Sequence, residues 1–118
     1  MLKVINKDNK DIKVIEKISK KLKLEHKDYD LISYDKFLIS YIFVLAIKDK
    51  TVYLLSSDKN GTETFDIKEV DKVLIDKKTD LNLFFKGGRV VNLTSVVGVK
   101  PKVKALVTTL NNEINRLR

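Results

Sequence analysis

Cysteine is absent from the 118 residues, and there is a single histidine. Disulfides and thiolate metal sites are therefore excluded, as are histidine-based metal clusters. No glycine-rich phosphate loop is present, because Gly87-Gly88 lacks both the spacing and the following lysine of such motifs. Long apolar runs are missing too. The longest, Phe37 to Ile47, is broken only by Ser40, and a membrane span takes about 20 residues. Met1 to Ile5 is too short for the apolar region of a signal peptide, and charges follow at once. The expectation is a cytoplasmic domain without cofactor or metal.

What is present suffices for a core. Hydrophobic residues make up 43% and charged residues 34% of the chain, well above the composition of disordered segments. The length fits one domain, residues 1–118. The net charge is +8, unevenly spread: residues 1–36 carry +3, residues 37–99 carry +1 and residues 100–118 carry +4. Only Arg89, Arg116 and Arg118 of the 24 basic residues are arginine. Reading of phosphates or base edges favours the forked guanidinium, so a lysine surface speaks for solvation and against specific nucleic-acid recognition. Abundant Lys, Asn and Ile fit an AT-rich coding genome, that of a low-GC bacterium or a mobile element.

The chain opens on a short strand-like piece, Leu2, Val4 and Ile5, followed by a turn at Asn6 to Asn9. Asp11 is placed to cap a helix. Ile12, Ile15, Ile18 and Leu22 then recur at helical intervals, which predicts a helix over 11–24. Val14 and Lys21 to Leu24 leave a strand as the rival reading. Tyr29, Leu31, Ile32 and Tyr34 read as a short strand or an ordered connection. From Phe37 the period becomes two, predicting strands Phe37–Ile47, Thr51–Ser57, Thr62–Ile67, Val70–Asp76, Asp80–Lys86 and Arg89–Ser95. The short separators can join only antiparallel neighbours. A tight turn at Asn60-Gly61 would set Leu54 opposite Ile67. At Gly87-Gly88 a two-residue loop would put Asn82 opposite Leu93, mixing polar and apolar on one face. A three-residue loop, Gly87-Gly88-Arg89, pairs Phe85 with Val91 and Leu83 with Leu93, so a bulged, odd-length turn is expected. Pro101 suits the first position of a helix. Val103, Leu106, Val107, Leu110, Ile114 and Leu117 form its apolar stripe, with Lys102, Lys104, Asn111, Asn112, Asn115 and Arg116 on the outer face.

The expected fold class is α+β. It is a curled antiparallel meander of six or seven strands (29–99), capped by a C-terminal helix (100–118) and preceded by an additional N-terminal helix (within 1–28). A sheet that long curls or splits, and its open end needs a cover. From Tyr29 to Leu117 this pattern resembles the pleckstrin-homology-like domains of bacteria. The carriers are the meander, the segments Glu63 to Val73 and Leu81 to Val91, and the capping helix. The resemblance implies binding of phosphoinositides, peptides or other proteins. The candidate headgroup loop offers Lys48 and Lys50 around Asp49, without the arginine of the family's basic motif.

Nothing points to catalysis. His26 lies among Glu25, Lys27 and Asp28, and an exposed imidazole is its plainest reading. Lys13, Lys17, Lys20 and Lys21 are interrupted by Glu16, and no aromatic anchors that helix in a bilayer, so they read as a solvated face. Alternate loops of a meander share an end. Loops 48–50, 68–69 and 86–89 should therefore form one rim carrying Lys48, Lys50, Lys68, Lys86 and Arg89 against Asp49 and Glu69, a candidate anion site. The opposite rim, 58–61 and 77–79, is less basic. Tyr41, Phe43, Phe65, Phe84 and Phe85 alternate within strands and read as core. Phe84 and Phe85 must, however, point to opposite faces. Phe84 and Tyr53 are the candidates for an apolar patch that meets a protein, the alternative being a second layer under the N-terminal helix. The expected function is non-enzymatic binding, of a protein first. An anionic membrane or phosphate headgroup on the basic rim is second, and non-specific nucleic-acid binding third.

Overall fold

Short connections between period-two segments leave antiparallel pairing as the only option, and every strand pair among the described residues is antiparallel. The computed structural model describes residues 2–22, 29–37, 41–56, 62–77, 80–95 and 101–118. The order is β1 (Leu2–Asn6), α1 (Ile12–Leu22), β2 (Leu31–Phe37), β3 (Tyr41–Lys48), β4 (Thr51–Ser56) and β5 (Thr62–Asp66). A 3-10 turn (Ile67–Glu69) leads to β6 (Val70–Ile75), β7 (Asp80–Phe85), β8 (Val90–Ser95) and α2 (Pro101–Leu117). The strands form two sheets, β1-β2-β3-β4-β5 and β6-β7-β8.

Several expected boundaries move. The apolar run Phe37–Ile47 is not one strand: Phe37 ends β2, pairs with Tyr41, and β3 begins there. Folding back pairs 31–37 with 41–47, giving each backbone a partner and each strand an ordinary length; Leu38 to Ser40 lie outside the described residues. Leu54 faces Glu63, not Ile67. Asp66 faces Thr51 at the end of β5, where its carboxylate accepts the Lys68 N–H at 2.9 Å and caps the 3-10 turn. The 3-10 turn that follows swings Ile67 fully into the core. Asn60-Gly61 lies outside the described residues.

The Gly87-Gly88 hairpin has an odd-length loop, but one residue earlier than expected. Phe85 N–H donates to the Arg89 carbonyl at 2.9 Å and Gly88 N–H to the Phe85 carbonyl at 3.0 Å, so the loop is Lys86-Gly87-Gly88. Gly88, at φ +90, takes the left-handed position that a three-residue hairpin requires. Leu83 therefore faces Val91, and neither expected pair, Phe85 with Val91 or Leu83 with Leu93, forms. The register shifts again between Asn82↔Asn92 and Leu81↔Thr94. Leu93 is the extra residue of this bulge and is buried.

The main core lies between the sheets. It joins Val4, Leu31, Leu45, Ile47, Val52 and Leu54 of the first to Val70, Val73, Leu81, Leu83 and Phe85 of the second, with Ile67 at the corner. Val107, Leu110 and Ile114 of α2 complete it, flanked by Val103, Leu106 and Leu117. The helix lies against β1 and β6, one strand from each sheet. On the other face of the five-stranded sheet Ile5, Ile32, Val44 and Ala46 meet Ile15 of α1 and Tyr29. Asp11 caps α1, its carboxylate accepting the Val14 N–H at 3.3 Å. Ile12, placed on the apolar stripe by its spacing, is instead 63% exposed. It is the first helical residue, ahead of the turn that packs. Buried Ser19 takes a place on the packed side, near the Tyr29 hydroxyl. The side chains of Ile18 and Leu22, and residues Lys23 and Leu24, lie outside those described.

Asn111 is the largest departure on α2. It turns toward β6, where its amide accepts the Val73 N–H and donates to the Val73 carbonyl, both at 2.7 Å. Arg118 donates to the Asp71 carbonyl at 3.0 Å. β6 is an edge strand, and these contacts satisfy backbone groups that β7 does not reach.

Candidate functional site

The three turns expected to share a rim do meet. The β3–β4 turn is tight, with Lys48 paired to Thr51 and both Asp49 (φ 48) and Lys50 (φ 63) in the left-handed region. The Lys50 carbonyl accepts Ile67 N–H at 2.9 Å, and the Glu69 carbonyl accepts Lys86 N–H at 3.0 Å. Backbone hydrogen bonds thus tie the β3–β4 turn to the 3-10 turn, and the 3-10 turn to the β7–β8 loop. Lys50, Lys68 and Lys86 are exposed, and Lys48 is half-buried.

Arg89 has a different job from the lysines. Its guanidinium sits 3.5 Å from the Glu63 carboxylate and 5.4 and 5.6 Å from the rings of Phe65 and Phe85. Those rings are themselves 4.7 Å apart. Arg89 therefore bridges β5 to the second sheet by charge and by ring contact. Asp66 and Glu63 also stand at this end, so the cations here face more carboxylates than the loop sequences alone contain. Beside the β3–β4 turn, Asp30 accepts the Asp49 N–H at 3.2 Å and pairs with Lys7 at 3.2 Å.

Tyr53 and Phe84 are not brought together. Tyr53, in β4, is half-buried in the layer that α1 covers, beside Tyr34 and Leu55. Phe84 is half-buried on the outer face of the three-stranded sheet. There Lys72, Phe84 and Val90 form one cross-strand row, and Leu74, Asn82 and Asn92 the next. Leu74 is 41% and Val90 49% exposed. The Lys72 ammonium lies 6.0 Å from the Phe84 ring centre. Beside this apolar half is a polar one. The Asn82 amide donates to the Asp76 carboxylate at 3.0 Å and to the Asp80 carbonyl at 3.3 Å, and accepts from Asn92 at 3.3 Å. This network lets Asn82 sit almost wholly buried on the outer face of its sheet.

Sequence reasoning missed Leu74 and Val90. Both were placed in strands, but assigning their face needs the register, and the bulges set that register. A lone alternation count across Val70 to Ile75 also fails, because the pairing jumps between Val70 and Lys72. His26 and the loop 58–61, as well as Lys78 and Thr79, lie outside the described residues, as do the side chains of Tyr41 and Phe43. Among the described residues no group of three or more His, Asp or Glu converges as a metal site. No described helix is long and apolar enough to cross a membrane. Comparison with protein-family models, with curated proteins and with solved structures gave no match to this chain.

Proposed function

We propose that this chain is a non-enzymatic module that binds an acidic protein through the outer face of its three-stranded sheet, on a pleckstrin-homology-like architecture. The observation behind it is the cluster of Leu74, Phe84 and Val90 on one face, two of them among the few exposed large apolar side chains described. Strand-borne apolar groups ringed by polar ones favour a protein surface over a small ligand. Lys72 at the margin and a net charge of +8 favour an acidic partner and oppose a second copy of the same chain. Two sheets with a closing C-terminal helix support the architectural part of the reading.

The test compares wild type with a Leu74→Ser/Val90→Ser double variant as bait in its native lysate. A protein with an acidic surface should be retained by the first and lost from the second, and should bind purified wild type directly. Identical captured sets would overturn the reading. The runner-up, an anion-binding rim of Lys48, Lys50, Lys68 and Lys86, draws support from the hydrogen-bonded meeting of the three turns. Retention on anionic but not neutral vesicles, lost on changing those four lysines to Ser, would favour it instead.

A further inference from the structure

Between β1, α1 and β2 a cleft of about 250 Å³ opens on the face of the five-stranded sheet that α1 covers. Its floor is apolar: Ile5, Ile15 and Ile32, each buried, with Tyr29 beside them. Burial holds the Tyr29 phenol above the ordinary value of 10.0, against the opposing effect of the nearby Ser19 side chain. It thus offers the cleft a neutral ring. The mouth is basic, formed by Lys7 and Lys10 on the β1–α1 turn.

That turn is held firmly. Asn6 Oδ1 accepts the N–H of Asp8 at 2.9 Å and of Asn9 at 3.2 Å. Asn9 in return accepts the Asn6 N–H at 2.6 Å and donates to the Val4 carbonyl at 3.1 Å. The two lysines therefore stand on a pre-set backbone, which lowers the ordering cost of binding. Lys7 is already met by Asp30. Among the described residues Lys10 makes no ion pair. An apolar floor under a cationic lip selects a molecule that is both greasy and anionic, since a neutral one forgoes the lysine and a small inorganic anion forgoes the floor.

We infer that this cleft binds a small amphipathic anion, a carboxylate or phosphate on a short apolar body. At about 30 Å³ per water the volume equals roughly eight waters, so a body of about eight to ten heavy atoms fits and a long acyl chain does not. Octanoate, octyl phosphate, octanol and palmitate serve as probes against the full chain, followed by amide NMR shifts. Octanoate or octyl phosphate should perturb Ile5, Lys7, Lys10, Ile15 and Ile32 and saturate, and whichever binds more tightly names the head group. Octanol should bind at least fivefold more weakly, and palmitate no more tightly than octanoate. Lys10→Gln, an exposed change, should weaken the anion at least fivefold and leave octanol unaffected. Equal binding of octanol and octanoate, shifts scattered over the other sheet, or indifference to Lys10→Gln would overturn the inference. Neither result bears on the docking face of the three-stranded sheet.

Discussion

At the scale of single residues, polar side chains in apolar surroundings decide more than their number suggests. Asn111 is the clearest case. One amide replaces a missing strand at Val73, supplying a donor and an acceptor at 2.7 Å each. Asn111→Leu would keep the helix apolar there but orphan two backbone groups, at about 1–3 kcal/mol for each group left dry. Urea unfolding should show a loss of about 2–6 kcal/mol for the two groups together; a loss below about 0.5 kcal/mol would mean that water serves the edge equally well. The spacing of α2 had put Asn111 outside. It stands four residues after Val107 and three before Ile114, and so flanks the buried stripe. Only the presence of an edge strand beside that flank gives the amide its task, and sequence periodicity contains no edge. Ser33 is a contrasting residue, a fully buried hydroxyl without a hydrogen-bond partner among the described residues, and nothing in the structure explains it.

At the scale of elements, turns set the registers and registers set the faces. The two glycines of the β7–β8 loop look alike in sequence and differ in role. Gly88 has φ +90 and Gly87 does not, and a Cβ on either would meet nothing within 4 Å. The difference is therefore purely one of backbone. Gly88→Ala should cost about 1–2 kcal/mol, the left-handed penalty for an L-residue. Gly87→Ala should be neutral or stabilise by up to about 1 kcal/mol through the unfolded chain. Thermal unfolding of both variants checks this, and the opposite order would refute the turn geometry. The hairpin's odd loop was legible because a two-residue loop mixed polar and apolar faces. Its one-residue offset was not, because moving a three-residue loop by one position slides the register by two and leaves Leu81, Leu83, Phe85 and Leu93 on the same buried face. The break of Phe37–Ile47 was illegible for a simpler reason: no Gly, Pro or Asn marks it.

At the scale of the whole molecule, the main core and its cover follow from patterning. Alternating strands gave two sheets whose facing sides are apolar, and the last seventeen-residue helix spans from β1 to β6 across their shared core. Closure there, together with α1 on the back of the first sheet, leaves the outer face of the second sheet as the broad surface on which exposed apolar side chains gather among the described residues. The basic rim was legible as a meeting of turns, but its charge was not, since Glu63 and Asp66 reach it from β5 and Asp30 from before β2. The proposed binding accordingly runs through that sheet face. Site-specific photo-crosslinking in the native cell tests it most directly, with a photoreactive residue at Val90 or, as control, at exposed Lys13 on α1. One discrete adduct with an acidic protein is expected from position 90 and none from position 13. Adducts from position 13 alone, or the same adducts from both, would contradict it.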